Sequence, residues 1–325
     1  MASEDVKFMH DTHYAEGKKF SFNNNGLKMA GLLFLPDGFD ENKSYPAIVV
    51  THPGGGVKEQ TSSLYAHGLA KAGFIGLAFD ASHQGESEGL PRFLEDPTSR
   101  VEDIRCAVDY LVSLPYVDEE RIGAMGVCAG AGYTLSAIQT EYRIKAAAGI
   151  SSWNTGHSAR HGNPGLNDPD NMKKVLTEVA RQRTREARGE APLIVGYVPP
   201  TEEDLKTEYY GNNIIMREGY DYYRTPRCQY PTSVNKVLFT SLDKLAAFDA
   251  FAFLDTVSPR PILLIVGSRA DTTYFSEAAY AKAQEPKEIF TIEGASHIDL
   301  YDKPQFVSQA VAKLSEYFST YLKTA

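Results

Sequence analysis

Four nearly continuous apolar runs, "PAIVVTHP", "FIGLAFDA", "RIGAMGV" and "IKAAAGISS", limit what this chain can fold into more than any other feature. Strands that are apolar at successive residues must be buried on both faces, the condition of a mainly parallel sheet covered by helices on each side. Between the runs, "TSSLYAHGLAKAG" and "SRVEDIRCAVDYLVSL" carry apolar residues at helical spacing, with Val101, Ile104, Val108 and Leu111 along one face of the second. Cys106 lies off that stripe and reads as structural or incidental. Upstream, "KKFSF" and "LKMAGLLFLP" flank "NNNG" and predict an antiparallel hairpin at one sheet edge, because Asn and Gly tolerate the positive φ of a tight turn.

After "ISSW" the alternation of strand and helix stops for roughly a hundred residues. It resumes at "RPILLIVGSRAD", "KEIFTIEGASH" and a closing helix, "KPQFVSQAVAKLSEYFSTYL". The expected organisation is a core from 1–151 and 254–325, interrupted by an inserted, mainly helical lid at 152–253. Helical pieces are expected at "NMKKVLTEVARQR" and "TEEDLKTEYY". Tyr209, Tyr210, Tyr220, Tyr222, Tyr223 and Tyr230 in the same segment are candidates either to line a pocket or to pack the lid down.

The 325 residues carry a net charge of -9 and a pI near 5.4, which argues against nucleic acid or an anionic membrane as a partner. The densest cationic stretch, "RQRTREARGE", interleaves glutamates and reads as a solvated helix face. Neither a signal-peptide pattern nor a membrane-length apolar run is present, so the expected location is cytoplasmic. Cys106, Cys128 and Cys228 are odd in number and widely spaced, which argues against a disulfide framework or a zinc site.

Within "RIGAMGVCAGAGY", Cys128 sits between Gly126 and Gly130, where a strand ends and a helix begins. Two readings compete: a buried filler in a tight turn, or a nucleophile elbow, whose small flanking residues permit a strained bend that presents the side chain. At a helix N-terminus the unpaired N–H groups favour a thiolate and can hold a developing oxyanion.

The α/β-hydrolase arrangement places an acid and then a histidine downstream of such a residue. Asp271 and His297 follow the last two strand runs in that order, and Cys128, Asp271 and His297 form the expected triad. Asp299 and Asp302 are rivals for the acid, disfavoured because they follow His297 so closely. His10, His13, His67, His157 and His161 stand in no catalytic context. In "THPGGGVKEQ", Gly54 or Gly55 is the candidate second oxyanion donor beside the N–H of Ala129, and the run lacks the spacing of a phosphate loop. In "FDASHQGESEG", His83 and Glu86 are weaker candidates for substrate contact, while Asp80 and Ser87 are expected to hold the loop by local hydrogen bonds.

The stretches "HPGGGVKEQT", "AFDASHQGESEG", "PRFLEDPTSRVEDIRCAVDYL", "RIGAMGVCAGAGY", "FDAF", "PRPILLIVGS" and "EGASHIDLYD" together resemble α/β hydrolases with a cysteine elbow. They are similar to dienelactone hydrolases and especially to the fungal polyketide transferase family and its bacterial relatives. The resemblance implies the α/β-hydrolase fold, Cys128, Asp271 and His297 in their usual roles, and acyl chemistry on an ester, lactone or thioester. No metal or organic cofactor is expected. The expected partner is a small-molecule acyl substrate, free or carried as a thioester. A homodimer stays open. Alternatives are a non-catalytic ligand-binding protein and a peptidase of the same fold.

Overall fold

In a computed structural model, which describes residues 17–162, 170–207 and 213–323, the chain opens with the expected hairpin. Asn25 and Gly26 take φ of 48° and 93° and fold β1 (Lys18–Asn24) back on β2 (Leu27–Phe34), with β1 at the sheet edge. The apolar runs become β3 (Tyr45–Thr51), β4 (Ile75–Phe79), β5 (Val117–Val127) and β6 (Ile144–Ile150). Between them stand α1 (Thr61–Lys71), α2 (Pro97–Val112) and α3 (Ala129–Thr140). The start of α2 is written in "DPT": Asp96 accepts from the Thr98 N–H at 3.0 Å, and Pro97 occupies the first turn, where its missing N–H is harmless.

Residues 151–261 add no strand to this sheet among those described. They contribute α4 (Thr155–His161), α5 (Asn171–Ala187), β7 (Ile194–Gly196), α6 (Ile214–Arg224), β8 (Lys236–Leu238) and α7 (Ser241–Ala246), with β7 and β8 paired antiparallel. The helix expected at "NMKKVLTEVARQR" is α5, whose cationic end is mostly exposed. At "TEEDLKTEYY" the described part is a single 3-10 turn, Asp204–Lys206, and Tyr209 and Tyr210 lie outside the described residues, as do His10 and His13. The aromatic stretch holds a helix, α6, that its composition concealed. The small sheet also went unread, because strands of three residues leave too little alternation to detect.

The main sheet then resumes with β9 (Ile262–Gly267), α8 (Thr273–Lys282), β10 (Lys287–Ile292), α9 (Asp299–Asp302) and α10 (Pro304–Tyr321). Its eight strands run in the order β1-β2-β4-β3-β5-β6-β9-β10, parallel from β4 onward. Successive residues of each central strand serve opposite faces. Ile48, Val50, Met125 and Val127 join one apolar cluster with Tyr65, Leu69, Leu314 and Phe318 of α1 and α10. Ala47, Val49, Ile122 and Ala124 join the other, with Ile104, Val108, Leu111 and Leu135 of α2 and α3. Burial on both sides explains the unbroken apolar runs. It also leaves the loops at the carboxyl ends of the strands as the place where polar side chains can gather.

Candidate functional site

Five of those loops converge. Pro53–Gly56 follows β3, Cys128 follows β5, Trp153 follows β6, Thr272 follows β9 and His297 follows β10. Cys128 has φ 57° and ψ -122°, a left-handed backbone that few residues other than glycine adopt. The bend is held by Cys128 N–H donating to the Ile150 carbonyl at 2.9 Å, and by the Trp153 and Ala131 N–H groups donating to the Cys128 carbonyl at 3.1 and 3.0 Å. A β-carbon at residue 126 would overlap the Gly130 carbonyl, and one at residue 130 the carbonyls of Thr51 and His52. Both flanking glycines are therefore required by close backbone approach.

The Cys128 side chain is deeply set, yet the residue keeps partial exposure, as do Gly54, Trp153 and Tyr197 around it. Burial pushes its thiol up to about 11, against the opposing pull of the Tyr301 hydroxyl and the Ala129 and Gly54 N–H groups, which favour the thiolate. The two candidate oxyanion donors thus meet at the sulfur. Gly55 instead packs under a cover: with φ 70°, its β-carbon position lies 2.6 Å from the Tyr197 ring and 2.7 Å from Asn235 Nδ2, and its carbonyl accepts from Ser233 at 3.0 Å.

His297 is fully enclosed, and burial pushes its titration down to about 3, so the imidazole rests neutral. Its Nε2 lies 3.2 Å from the Tyr301 hydroxyl and its Nδ1 lies 2.6 Å from Thr272 Oγ1. Trp153 approaches the ring edge-on at 5.9 Å between centroids. Two expectations change here. Among the described residues no direct hydrogen bond joins Cys128 to His297; the Tyr301 hydroxyl meets the imidazole and also acts on the thiol. The carboxylate of Asp271 does not hold Nδ1, because the neighbouring Thr272 occupies that position.

Asp271 is half-buried, with Oδ1 unpartnered among the described residues, and burial raises its carboxyl above the usual range. The physical reason for the offset is the turn after β9. Arg269 and Ala270 N–H groups bond to Ala295 and Gly267, so residue 271 comes out partly toward the surface, and Thr272 turns inward as it caps α8. The rival acids are engaged elsewhere: Asp302 takes a two-pronged bond from Arg227 at 2.7 and 2.5 Å, and Asp299 pairs with Lys303 at 2.6 Å.

Above the sulfur, Tyr223 is buried with its hydroxyl unpartnered among the described residues, and that oxygen lies 3.4 Å from the β-carbon position of Gly56. Tyr222 is buried too, but its hydroxyl accepts from the Thr61 N–H at 3.1 Å and so anchors α6 to the core. His83 and Glu86 are committed locally. His83 Nδ1 meets the Pro91 carbonyl at 3.0 Å, and Glu86 pairs with Lys58 at 2.6 Å. Lys58 sits among the carboxylates of Glu59, Asp80 and Glu86, its burial more than offset by Asp80 and Glu59, so its ammonium titrates above the ordinary lysine range. That cage, with Asp80 accepting from the Lys58 and Glu86 N–H groups and Ser87 donating to the Asp80 carbonyl, clamps the two loops together.

The sequence reading missed His52, Arg100, Tyr197, Thr272 and Tyr301. Buried Arg100 donates to the His52 carbonyl at 2.9 Å, and His52 Nε2 accepts from the Ala81 N–H at 3.0 Å, so this pair fixes the loop after β3 from below. Tyr301 lies four residues past His297, on the short helix that follows the histidine loop.

The sequence signature of the Dienelactone hydrolase family matches residues 29–176, from β2 through the elbow and β6. The chain is also 39% identical over 302 residues to the uncharacterized protein YcjY of Escherichia coli, across 91% of this chain and 95% of that one. This chain belongs to the dienelactone hydrolase family. Among solved structures, the family member resembles the hypothetical protein PA2218 from Pseudomonas aeruginosa, with a TM-score of 0.86, 35% identity and 94% of each chain covered. It is 27% identical over 283 residues to the thiohydrolase apmlB of Arthrinium phaeospermum, across 85% of this chain and 87% of that one. Further relatives are named acyltransferase and polyketide transferase, so the family is one of hydrolases and acyltransferases. The fold is that of the α/β hydrolases. No described helix is long and apolar enough to cross a membrane.

Proposed function

We propose that this chain processes acyl groups through a Cys128 acyl-thioester, hydrolysing or transferring the acyl part of an ester, lactone or thioester. The observation that carries the reading is the positive-φ elbow, which aims the Cys128 sulfur at the N–H groups of Ala129 and Gly54 with His297 one hydroxyl away. With the thiol raised and the imidazole lowered, the pair rests neutral. The thiolate is made only as a carbonyl carbon arrives to take its electron pair. The same two N–H groups then serve the carbonyl oxygen as it becomes an oxyanion. His297 takes the thiol proton and returns it to the leaving group, with Thr272 fixing its tautomer.

Residues 152–253 act in this reading as the lid, with Tyr197 and Tyr223 covering the oxyanion loop and the sulfur. A lid that excludes water prolongs the thioester until an acceptor binds, which is the route from hydrolysis to transfer. Thiohydrolase and acyltransferase relatives support that class of substrate.

Intact-mass spectrometry after brief exposure to a panel of acyl thioesters and esters tests the reading. An acyl adduct on the native chain that is missing from Cys128→Ala is the expected result. Equal adducts on both, or none with any acyl donor, would overturn it, the latter in favour of a non-catalytic pocket.

A further inference from the structure

Cys128 and His297 make no direct hydrogen bond, yet one hydroxyl reaches both. Tyr301 lies 3.2 Å from His297 Nε2 and is a side-chain partner of the Cys128 sulfur. Its ring is fully buried, wedged edge-on against Tyr222 at 5.1 Å between centroids, and its residue sits on α9, whose preceding Leu300 carbonyl accepts from Tyr65 at 2.7 Å. A hydroxyl so fixed has one proton to give and lone pairs to receive another, the requirement for passing a proton along without carrying a charge.

We propose that Tyr301 is a catalytic residue whose hydroxyl relays the proton between Cys128 and His297. The inference rests on the acyl-thioester reading above. In the acylation step the S–H bond breaks and its proton moves to Tyr301 Oη. The original Tyr301 proton moves at the same time to His297 Nε2. The sulfur electron pair forms the bond to the carbonyl carbon, and the carbonyl π pair moves to oxygen, facing the Gly54 and Ala129 N–H groups. Tyr301 ends neutral and His297 ends as imidazolium, its Nδ1–H donating to Thr272 Oγ1. Collapse of the tetrahedral adduct expels the alkoxide or thiolate, which recovers a proton along the same path.

This arrangement suits two groups whose burial keeps them neutral at rest. The Tyr301 phenol is itself raised well above its ordinary value, chiefly by burial, so it passes a proton and does not linger as phenolate. An elbow sulfur with no hydroxyl between it and the imidazole has no need of such a residue. Here the geometry supplies it four residues beyond the histidine, on α9.

The test is Tyr301→Phe, which keeps the ring and removes the relay. Acylation of Cys128 by a reactive acyl thioester is followed by rapid quench and intact mass, in the native chain, Y301F, H297Q and the double variant. General acid–base losses run about 10²–10⁴-fold, so Y301F should acylate at least ~10²-fold more slowly, and adding Y301F to H297Q should cost nothing further. In mixtures of light and heavy water the native rate should show two protons in flight, and the Y301F rate should not. A Y301F rate within about threefold of native, or losses that multiply in the double variant, would overturn the relay while leaving the Cys128 adduct intact. Failure of the underlying reading looks different: the native chain then takes no Cys128-dependent adduct at all. A thermal melt of Y301F identifies loss of fold. If that occurs, iodoacetamide alkylation on the folded fraction decides, with a Cys128 pH profile displaced upward expected for the relay and an unmoved profile against it.

Discussion

Thr272→Val removes the hydroxyl that faces His297 Nδ1 at 2.6 Å while leaving a side chain of nearly the same shape. The imidazole is completely enclosed, so water does not replace the lost partner. An unsatisfied buried donor costs about 1–3 kcal/mol of stability, which urea unfolding at neutral pH should register. The kinetic loss follows from the charged state. When His297 holds the extra proton its Nδ1–H becomes a charge-assisted donor, worth roughly 1.5–3 kcal/mol. At about 1.4 kcal/mol per decade that is a ~10- to 150-fold slower acylation. Asp271→Asn, one residue away, should behave otherwise. Burial already disfavours the Asp271 carboxylate and one of its oxygens has no partner, so a neutral amide should leave stability unchanged or slightly higher and acylation within about threefold. Both rates come from the same quench and mass measurement. A thousandfold loss in Asp271→Asn beside a native-like Thr272→Val would show that the carboxylate, and not the hydroxyl, orients the histidine.

His297 titrates near 3 in the fold against an ordinary 6.5, so between those values the unfolded chain binds more protons. Its contribution is intact above about pH 6.5 and is lost as pH falls toward 3; at ~1.4 kcal/mol per unit, at most about 5 kcal/mol is involved, and His297→Gln should flatten the acid limb of urea midpoints. Burial raises Cys128 and Cys106 to about 11 and Cys228 to about 12, so access decides which reacts. Iodoacetamide should label partly exposed Cys128 before the two buried thiols, at a rate still climbing above about pH 9, whereas a plateau near neutrality would reveal a resting thiolate. Arg227→Met strands Asp302, which is almost buried, and should destabilise the chain by about 3–5 kcal/mol, with most of that recovered in Arg227→Met/Asp302→Asn by chemical denaturation.

The elbow was legible because close backbone approach forces glycine at 126 and 130, on either side of Cys128. The sheet was legible because burial on two faces writes itself into every residue of a strand. The residue that meets His297 Nδ1 was read one position out of place. Chain order identifies the loop after β9, but which of Asp271 and Thr272 turns inward depends on hydrogen bonds from Arg269 and Ala270 to partners on other segments. Tyr301 was passed over because a tyrosine near a histidine is ordinary packing until a sulfur from a distant strand end is brought beside it. Helix α6 was obscured by an aromatic run whose apolar positions serve both the core and the site.

The sequence alone determined the layered architecture, the left-handed bend at Cys128 and the order of the groups that gather over the sheet, since each follows from local sterics or from which residues must avoid water. Tertiary structure decided the contacts: a threonine on Nδ1, a tyrosine on Nε2, and a lysine filling a cage of carboxylates. Hydrogen bonds act over about 3 Å, and distances that short between residues far apart along a chain are set by how the loops pack, a property no stretch of sequence carries by itself.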